Sequence, residues 1–284
     1  MKAHFVDGTF ELFRCFHGAP RHTNAEGKEV GAVRGYLHTM LSLLKGGATH
    51  VAVGVDALPL PRGPLGDDPG MLIRSQAPLA FAATRALGMR LWPMVRFQAD
   101  DALATAAHVL KDVTAFDEIV ICTTDTDLYQ TIVDGRVVVL DRIRKHVTDA
   151  TELRKKLGIE PHQFTDQLAL VGAPAKGIPG VPGFGAKTAA RLLAEFGSLE
   201  NIPADAALWD ASVRSRERLA ATLNAHREEA LLVKALATLR TDLPIDLHPA
   251  TLEWRGVHRA ALHAVIAATE AIDINERLER WDRY

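Results

Sequence analysis

Two spacings of apolar residues divide the chain. Up to about residue 148, short β-branched runs alternate with stretches of helical periodicity. His4-Phe5-Val6 and residues 49–55, 90–94, 118–122 and 137–140 read as strands. Between them, residues 30–44, 78–87 and 100–111 place apolar side chains at the spacing of amphipathic helices. Residues 57–70 hold four prolines and three glycines and read as a loop. This β-α-β-α order predicts a parallel or mixed sheet flanked by helices on both faces. Beyond residue 148 the strand signal disappears, and residues 152–157, 161–171, 187–196, 214–239 and 258–272 read as helices. The expected organisation is an α/β domain over residues 1–170 and a helical region over residues 171–284.

The chain has 284 residues, 48% of them apolar, which is enough for a substantial core. A formal net charge of −2 excludes a uniformly basic nucleic-acid binder, although an acidic pocket beside a basic face averages to the same total. Cys15 and Cys122 lie in apolar stretches and read as buried free thiols, which suits a reducing, cytoplasmic location. The first residues lack the apolar core of a signal peptide. No apolar run approaches the ~20 residues of a membrane span.

Six aspartates demand an explanation. Asp7 and Asp56 each follow a predicted strand directly, Asp125 and Asp127 follow another, and Asp100 and Asp101 open a helix. Ligands bind at the carboxyl ends of parallel strands, so these carboxylates are expected to converge. A lone aspartate after a strand is an ordinary turn or cap residue. Six at corresponding ends repel one another unless a cation neutralises them. Hard oxygen donors without a Cys/His pattern select Mg²⁺ or Mn²⁺. Such a cluster suits phosphodiester hydrolysis, because metal-bound water supplies the nucleophile without a reactive side chain.

Residues 178–189, Ile-Pro-Gly-Val-Pro-Gly-Phe-Gly-Ala-Lys-Thr-Ala, form the most specific stretch. Gly183 and Gly185 permit a tight turn, and a helix is expected from about Ala186. Its free N–H groups, with Lys187 and Thr188, suit a DNA phosphate read without base contact. The plain alternative is a helix–loop–helix connection.

Together these strings resemble the flap-endonuclease or 5′-nuclease superfamily, including the N-terminal nuclease domain of bacterial DNA polymerase I. Val6-Asp7-Gly8 with Arg14, Val55-Asp56-Ala57, Ala99-Asp100-Asp101, Thr124-Asp125-Thr126-Asp127 and the glycine-rich string carry the resemblance, which covers most of the chain. It implies a PIN-like α/β fold followed by a helix-hairpin-helix (helix-three-turn-helix) region. It also implies divalent-metal 5′-3′ exonuclease or flap-endonuclease activity on DNA with 5′ flaps, nicks, gaps or ends. Asp7, Asp56, Asp100, Asp101, Asp125 and Asp127 would hold metal. Arg14, Arg34, Gly180, Val181, Gly183, Phe184, Gly185, Lys187 and Thr188 would meet DNA, with a K⁺ ion on the hairpin carbonyls.

The chain departs from the family pattern in three ways. Gln98 replaces a glutamate, Ala173 and Lys176 replace two aspartates, and the basic arch after Asp56 is absent, leaving Arg62 as the only cation of that loop. A weakened second metal site follows, with Lys176 expected to bring its ammonium toward the acidic pocket. The competing expectations are a DNA-binding protein of the same fold with little catalysis, and a PIN-like ribonuclease.

Overall fold

The computed structural model describes residues 1–57 and 68–274. Most of the loop expected over residues 57–70, Arg62 included, and the charged end beyond residue 274 lie outside the described residues. The chain divides into two compact units, one formed by Met1–Thr123 with the described part of Thr241–Tyr284, the other by Thr124–Arg240.

The first unit is a parallel sheet wrapped by its own crossover helices. In chain order it contains β1 (Lys2–Asp7), α1 (Gly8–Gly18), α2 (Gly31–Lys45), β2 (His50–Asp56), α3 (Pro69–Ala86), β3 (Arg90–Met94), α4 (Ala99–Leu110) and β4 (Glu118–Cys122). The strand order is β3-β2-β1-β4, all parallel. In β1, Ala3, Phe5 and Val6 are fully buried, and β2 is buried along its length up to Asp56. Strands covered on both faces need such continuous apolar runs. Helix α4 presents Ala102, Leu103, Ala106 and Ala107 inward. Its alanines let the backbone come close: a Cβ on Gly54 would stand 3.2 Å from the Ala99 carbonyl oxygen. That approach fixes the start of α4 over the end of β2.

Helix α3 begins earlier than expected. Pro69 occupies its first turn, and the Asp68 carboxylate accepts from the N–H groups of Gly70 and Met71 at 2.7 and 3.2 Å. Proline at a helix start loses no bond and the aspartate satisfies the orphan donors, so a segment that reads as a loop nucleates a helix. Pro78, read from sequence as the start, lies inside it.

The second unit contains the antiparallel pair β5 (Val137–Asp141) and β6 (His146–Thr148), then α5 (Ala150–Leu157), α6 (Phe164–Val171), α7 (Ala186–Phe196) and α8 (Arg216–Ala237). The three-residue β6 was not expected; its register with β5 is set by pairing, not by its own pattern. Ile159, Phe164, Leu170, Val181, Phe184, Leu192, Leu193, Trp209 and Leu223 share the helical core. Each large apolar side chain so buried contributes roughly 1.5–3 kcal/mol. Inside this unit Lys234 bridges the buried Asp166 at 2.7 Å and Glu200 at 2.7 Å.

The chain then returns to the first unit through α9 (Pro249–Leu252) and α10 (Arg259–Thr269), and α10 packs on α3 and α2. The division expected between residues 170 and 171 falls inside the second unit, because α6 packs on α7 and α8. The α/β architecture with flanking helices and a helical region agrees with expectation, with parallel and antiparallel ladders both present. Among the described residues no helix is long and apolar enough to cross a membrane.

Candidate active site

In the first unit, Asp7 is the last residue of β1 and only 6% exposed. Its Oδ1 accepts from the Phe10 N–H at 2.9 Å, capping α1, and its Oδ2 accepts from the Thr123 hydroxyl at 3.1 Å. Asp56 ends the neighbouring strand β2. Its Oδ1 accepts from the Ala99 N–H at 2.8 Å, and its own N–H donates to the Thr9 hydroxyl at 2.8 Å. The carboxyl ends of β1 and β2 and the start of α4 thus meet at one edge of the sheet. Thr9 and Thr123, which sequence reasoning missed, hold the two strand ends. Their only signal was a hydroxyl residue within two positions of a strand end, where such side chains commonly bond backbone or carboxylate.

Asp100 and Asp101 stand in the first turn of α4. The helix opens one residue before Asp100, and Gln98 is its N-cap. Gln98 and Asp101 form a reciprocal capping box, in which Asp101 Oδ2 accepts from the Gln98 N–H at 3.1 Å. One oxygen of Asp101 is therefore committed to the helix start. Gln98, which replaces a glutamate of the family pattern, serves as that cap.

In the second unit, Asp125 caps the 3₁₀ turn Thr126–Thr131, its Oδ1 accepting from the Asp127 N–H at 2.9 Å. Lys176 lies between the two carboxylates, its Nζ 2.7 Å from Asp125 Oδ1 and 2.8 Å from Asp127 Oδ1. Partial burial works against the ammonium charge, but the Asp125 and Asp127 carboxylates outweigh it and hold the Lys176 pKa above the ordinary lysine value.

Among the described residues no three His, Cys, Asp or Glu side chains are arranged to hold a metal ion. The donor chemistry still differs between the units. Asp7 and Asp56 at strand ends and Asp100 at a helix start offer hard, acceptor-only oxygens, which fits a divalent ion. Asp125 and Asp127 are already paired with a cation of the chain's own.

Several residues expected to meet DNA also make contacts within the scaffold. Arg14 is paired with the buried Glu11 and donates to the Thr39 hydroxyl at 2.9 Å. Arg34 donates to the carbonyls of Thr269 and Glu270 at 3.1 and 2.7 Å, closing the end of α10. Val181 and Phe184 are 4% and 8% exposed, and their side chains anchor the hairpin in the helical core. Gly180 packs against Val171, whose carbonyl oxygen would stand 2.3 Å from an added Cβ.

The remaining hairpin residues face outward. Gly183 takes a left-handed φ of 88°, and Gly185 starts α7 without a side-chain cap. The first bond of α7 at this end runs from the Ala189 N–H to the Gly185 carbonyl at 3.0 Å. The N–H groups of Ala186, Lys187 and Thr188 therefore point out of the helix start beside the exposed Lys187.

Comparison with known proteins bears on both units. Residues 67–158 match the family model "5'-3' exonuclease, N-terminal resolvase-like domain", and residues 159–260 match "5'-3' exonuclease, C-terminal SAM fold". DNA polymerase I of Pseudomonas aeruginosa is 34% identical over 286 residues, covering 93% of this chain and 30% of that protein. Flap endonuclease Xni of Cronobacter sakazakii is 30% identical over 253 residues, covering 86% of this chain and 90% of that protein. The chain thus spans about a third of the polymerase relatives and nearly all of the flap endonuclease. Among solved structures, T5 5'-exonuclease with bound zinc ions aligns with a TM-score of 0.65 at 19% identity over 98% of this chain and 99% of that one. The catalytic core of Rad2 in complex with DNA substrate aligns with a TM-score of 0.62 at 16% identity over 94% and 88%. These two likenesses concern the fold.

Proposed function

Because the chain belongs to the 5′-3′ exonuclease family, we propose that it is a structure-specific DNA 5′-nuclease, hydrolysing phosphodiesters at 5′ flaps, nicks, gaps or ends with Mg²⁺ or Mn²⁺. The observation that carries this reading is the meeting of Asp7, Asp56 and the Asp100 turn at the carboxyl ends of adjacent parallel strands.

Asp7, Asp56 and Asp100 are the residues to hold the ion in this reading. A bound divalent ion would acidify a water and draw charge from the scissile phosphate. The chain's own contribution is orientation. Thr123 and the Phe10 N–H fix the Asp7 carboxylate, and the Ala99 N–H fixes that of Asp56. An ammonium carries three donors. Lys176 directs two at Asp125 and Asp127, which leaves one for a substrate phosphate oxygen. The open start of α7 with Lys187 grips duplex phosphate, and a K⁺ ion on the hairpin carbonyls would add to that grip. Such contacts carry no base information, so recognition follows the shape and ends of the DNA.

The Lys176 ion pairs also favour a second reading, a DNA-binding protein with little catalysis. A fluorescent 5′-flap duplex incubated with the protein, with Mn²⁺ or with a chelator, separates the two. Metal-dependent cutting supports the nuclease. Retarded but intact DNA supports the binding protein.

A further inference from the structure

We propose that Lys176 is a resident cation which excludes divalent metal from the Asp125–Asp127 pair, so that the charge of this part of the acidic set is halved by the chain itself. The inference deepens the nuclease reading and rests on it for the relevance of the pair, while the ion pairs stand on geometry alone.

The ammonium is presented by a rigid support. Ala173 and Ile178 bond each other in both directions, at 2.9 and 3.1 Å. The Lys176 N–H donates to the Ala173 carbonyl at 2.8 Å, closing a short turn, and Gly177 follows with φ 70°. Gly172, with φ 76°, packs so closely that an added Cβ would stand 2.4 Å from the Gly180 nitrogen. The loop is therefore tied to the hairpin behind it, and the lysine stem starts from a fixed point. The carboxylates are equally prepared, because the Asp127 N–H donates to Asp125 Oδ1, and the Oδ1 atoms of both residues bond the ammonium.

A divalent ion at this pair would have to displace two charge-assisted hydrogen bonds and drive the ammonium away from two carboxylates. With Lys176 in place the three groups sum to one negative charge, against two for the carboxylates alone. The neighbouring Ala173 adds no charge that could restore the attraction.

The test counts Mn²⁺ bound to the full chain by calorimetry and by the free-ion electron paramagnetic resonance signal. The comparison is between the wild type, Lys176→Arg, Lys176→Met and Lys176→Asp. The expected result is an unchanged count in Lys176→Arg and one additional ion in Lys176→Met. In Lys176→Asp the added ion should bind roughly tenfold tighter than in Lys176→Met, since ligand charge sets affinity for hard cations. Adding Asp125→Asn to Lys176→Met should abolish the gain. Equal counts in all four proteins would overturn the proposal. A second measurement needs no substitution: the Lys176 Nζ resonance of the wild type should be unmoved by saturating Mg²⁺, and its release to a solvent-like shift would overturn the proposal as well. Failure of the wild type to cut DNA would remove the nuclease reading and leave these counts untouched.

Discussion

Asp56 and Ala99 are joined by a 2.8 Å hydrogen bond from the Ala99 N–H to the Asp56 Oδ1, which pins the start of α4 to the end of β2. The same carboxylate therefore has a structural and a proposed chemical duty. Asp56→Asn keeps an acceptor for Ala99 and removes the charge, and Asp56→Ala removes both. Thermal unfolding should separate them, with Asp56→Ala losing about 1 kcal/mol and Asp56→Asn much less. Cleavage should fall at least roughly 100-fold in both, the upper end of what losing even an outer partner of a metal site costs.

Gly172 sets the loop that carries Lys176. Its φ of 76° is rare for a side-chain-bearing residue, and an added Cβ would meet the backbone of Gly180, Ile178 and Pro179. Gly172→Ala should lower stability by more than about 1 kcal/mol in urea unfolding, because the native backbone cannot be kept without strain.

Lys187 tests the phosphate grip. Lys187→Ala should weaken duplex binding equally for all sequences and reduce the slope of log affinity against log salt by about one. Fluorescence anisotropy over a salt series measures both. An unchanged slope would remove Lys187 from the interface.

His50 gives a pH dependence with a defined sign. Burial lowers its pKa below the ordinary 6.5, Glu253 opposes that shift, and the chain's amino terminus adds to it. The ring stands edge-on to Phe116 at 5.1 Å, beside the Thr49 hydroxyl. The unfolded chain takes up this proton first as pH falls, so the stability His50 confers is present above pH 6.5 and is lost as pH falls through that value toward the lower folded pKa. Urea midpoints of wild type and His50→Gln should therefore drop by different amounts between about pH 7.5 and 5.5, the wild type losing more.

Much of this was legible in the sequence, for local reasons. Asp7 and Asp56 stood out because each directly follows a continuous apolar strand, which marks the ligand-binding edge of a parallel sheet. The hairpin was legible because its glycines and lysine carry their meaning within twelve residues. The scaffold contacts of Arg14 and Arg34 were less legible: beside the nearby Glu11, Arg14 engages Thr39, 25 residues away, and the Glu270 carbonyl that engages Arg34 lies 236 residues away. Val181 and Phe184 are core anchors because α6, α7 and α8 close over them, which no local pattern reveals. The cap role of Gln98 was not legible, because glutamine is not among the residues that usually open a helix. The sequence suggested an ammonium near the acidic residues; only folding shows that it joins Asp125 and Asp127 in one bridge.

The most direct measurement is the divalent-dependent cleavage of a 5′-labelled flap duplex by the wild type and by Asp7→Asn, with duplex affinity measured beside it. The account predicts cutting near the junction by the wild type only when Mg²⁺ or Mn²⁺ is present. It predicts no cutting by Asp7→Asn at undiminished affinity. Equal cutting by Asp7→Asn, or intact DNA with the wild type in both metals, would contradict it.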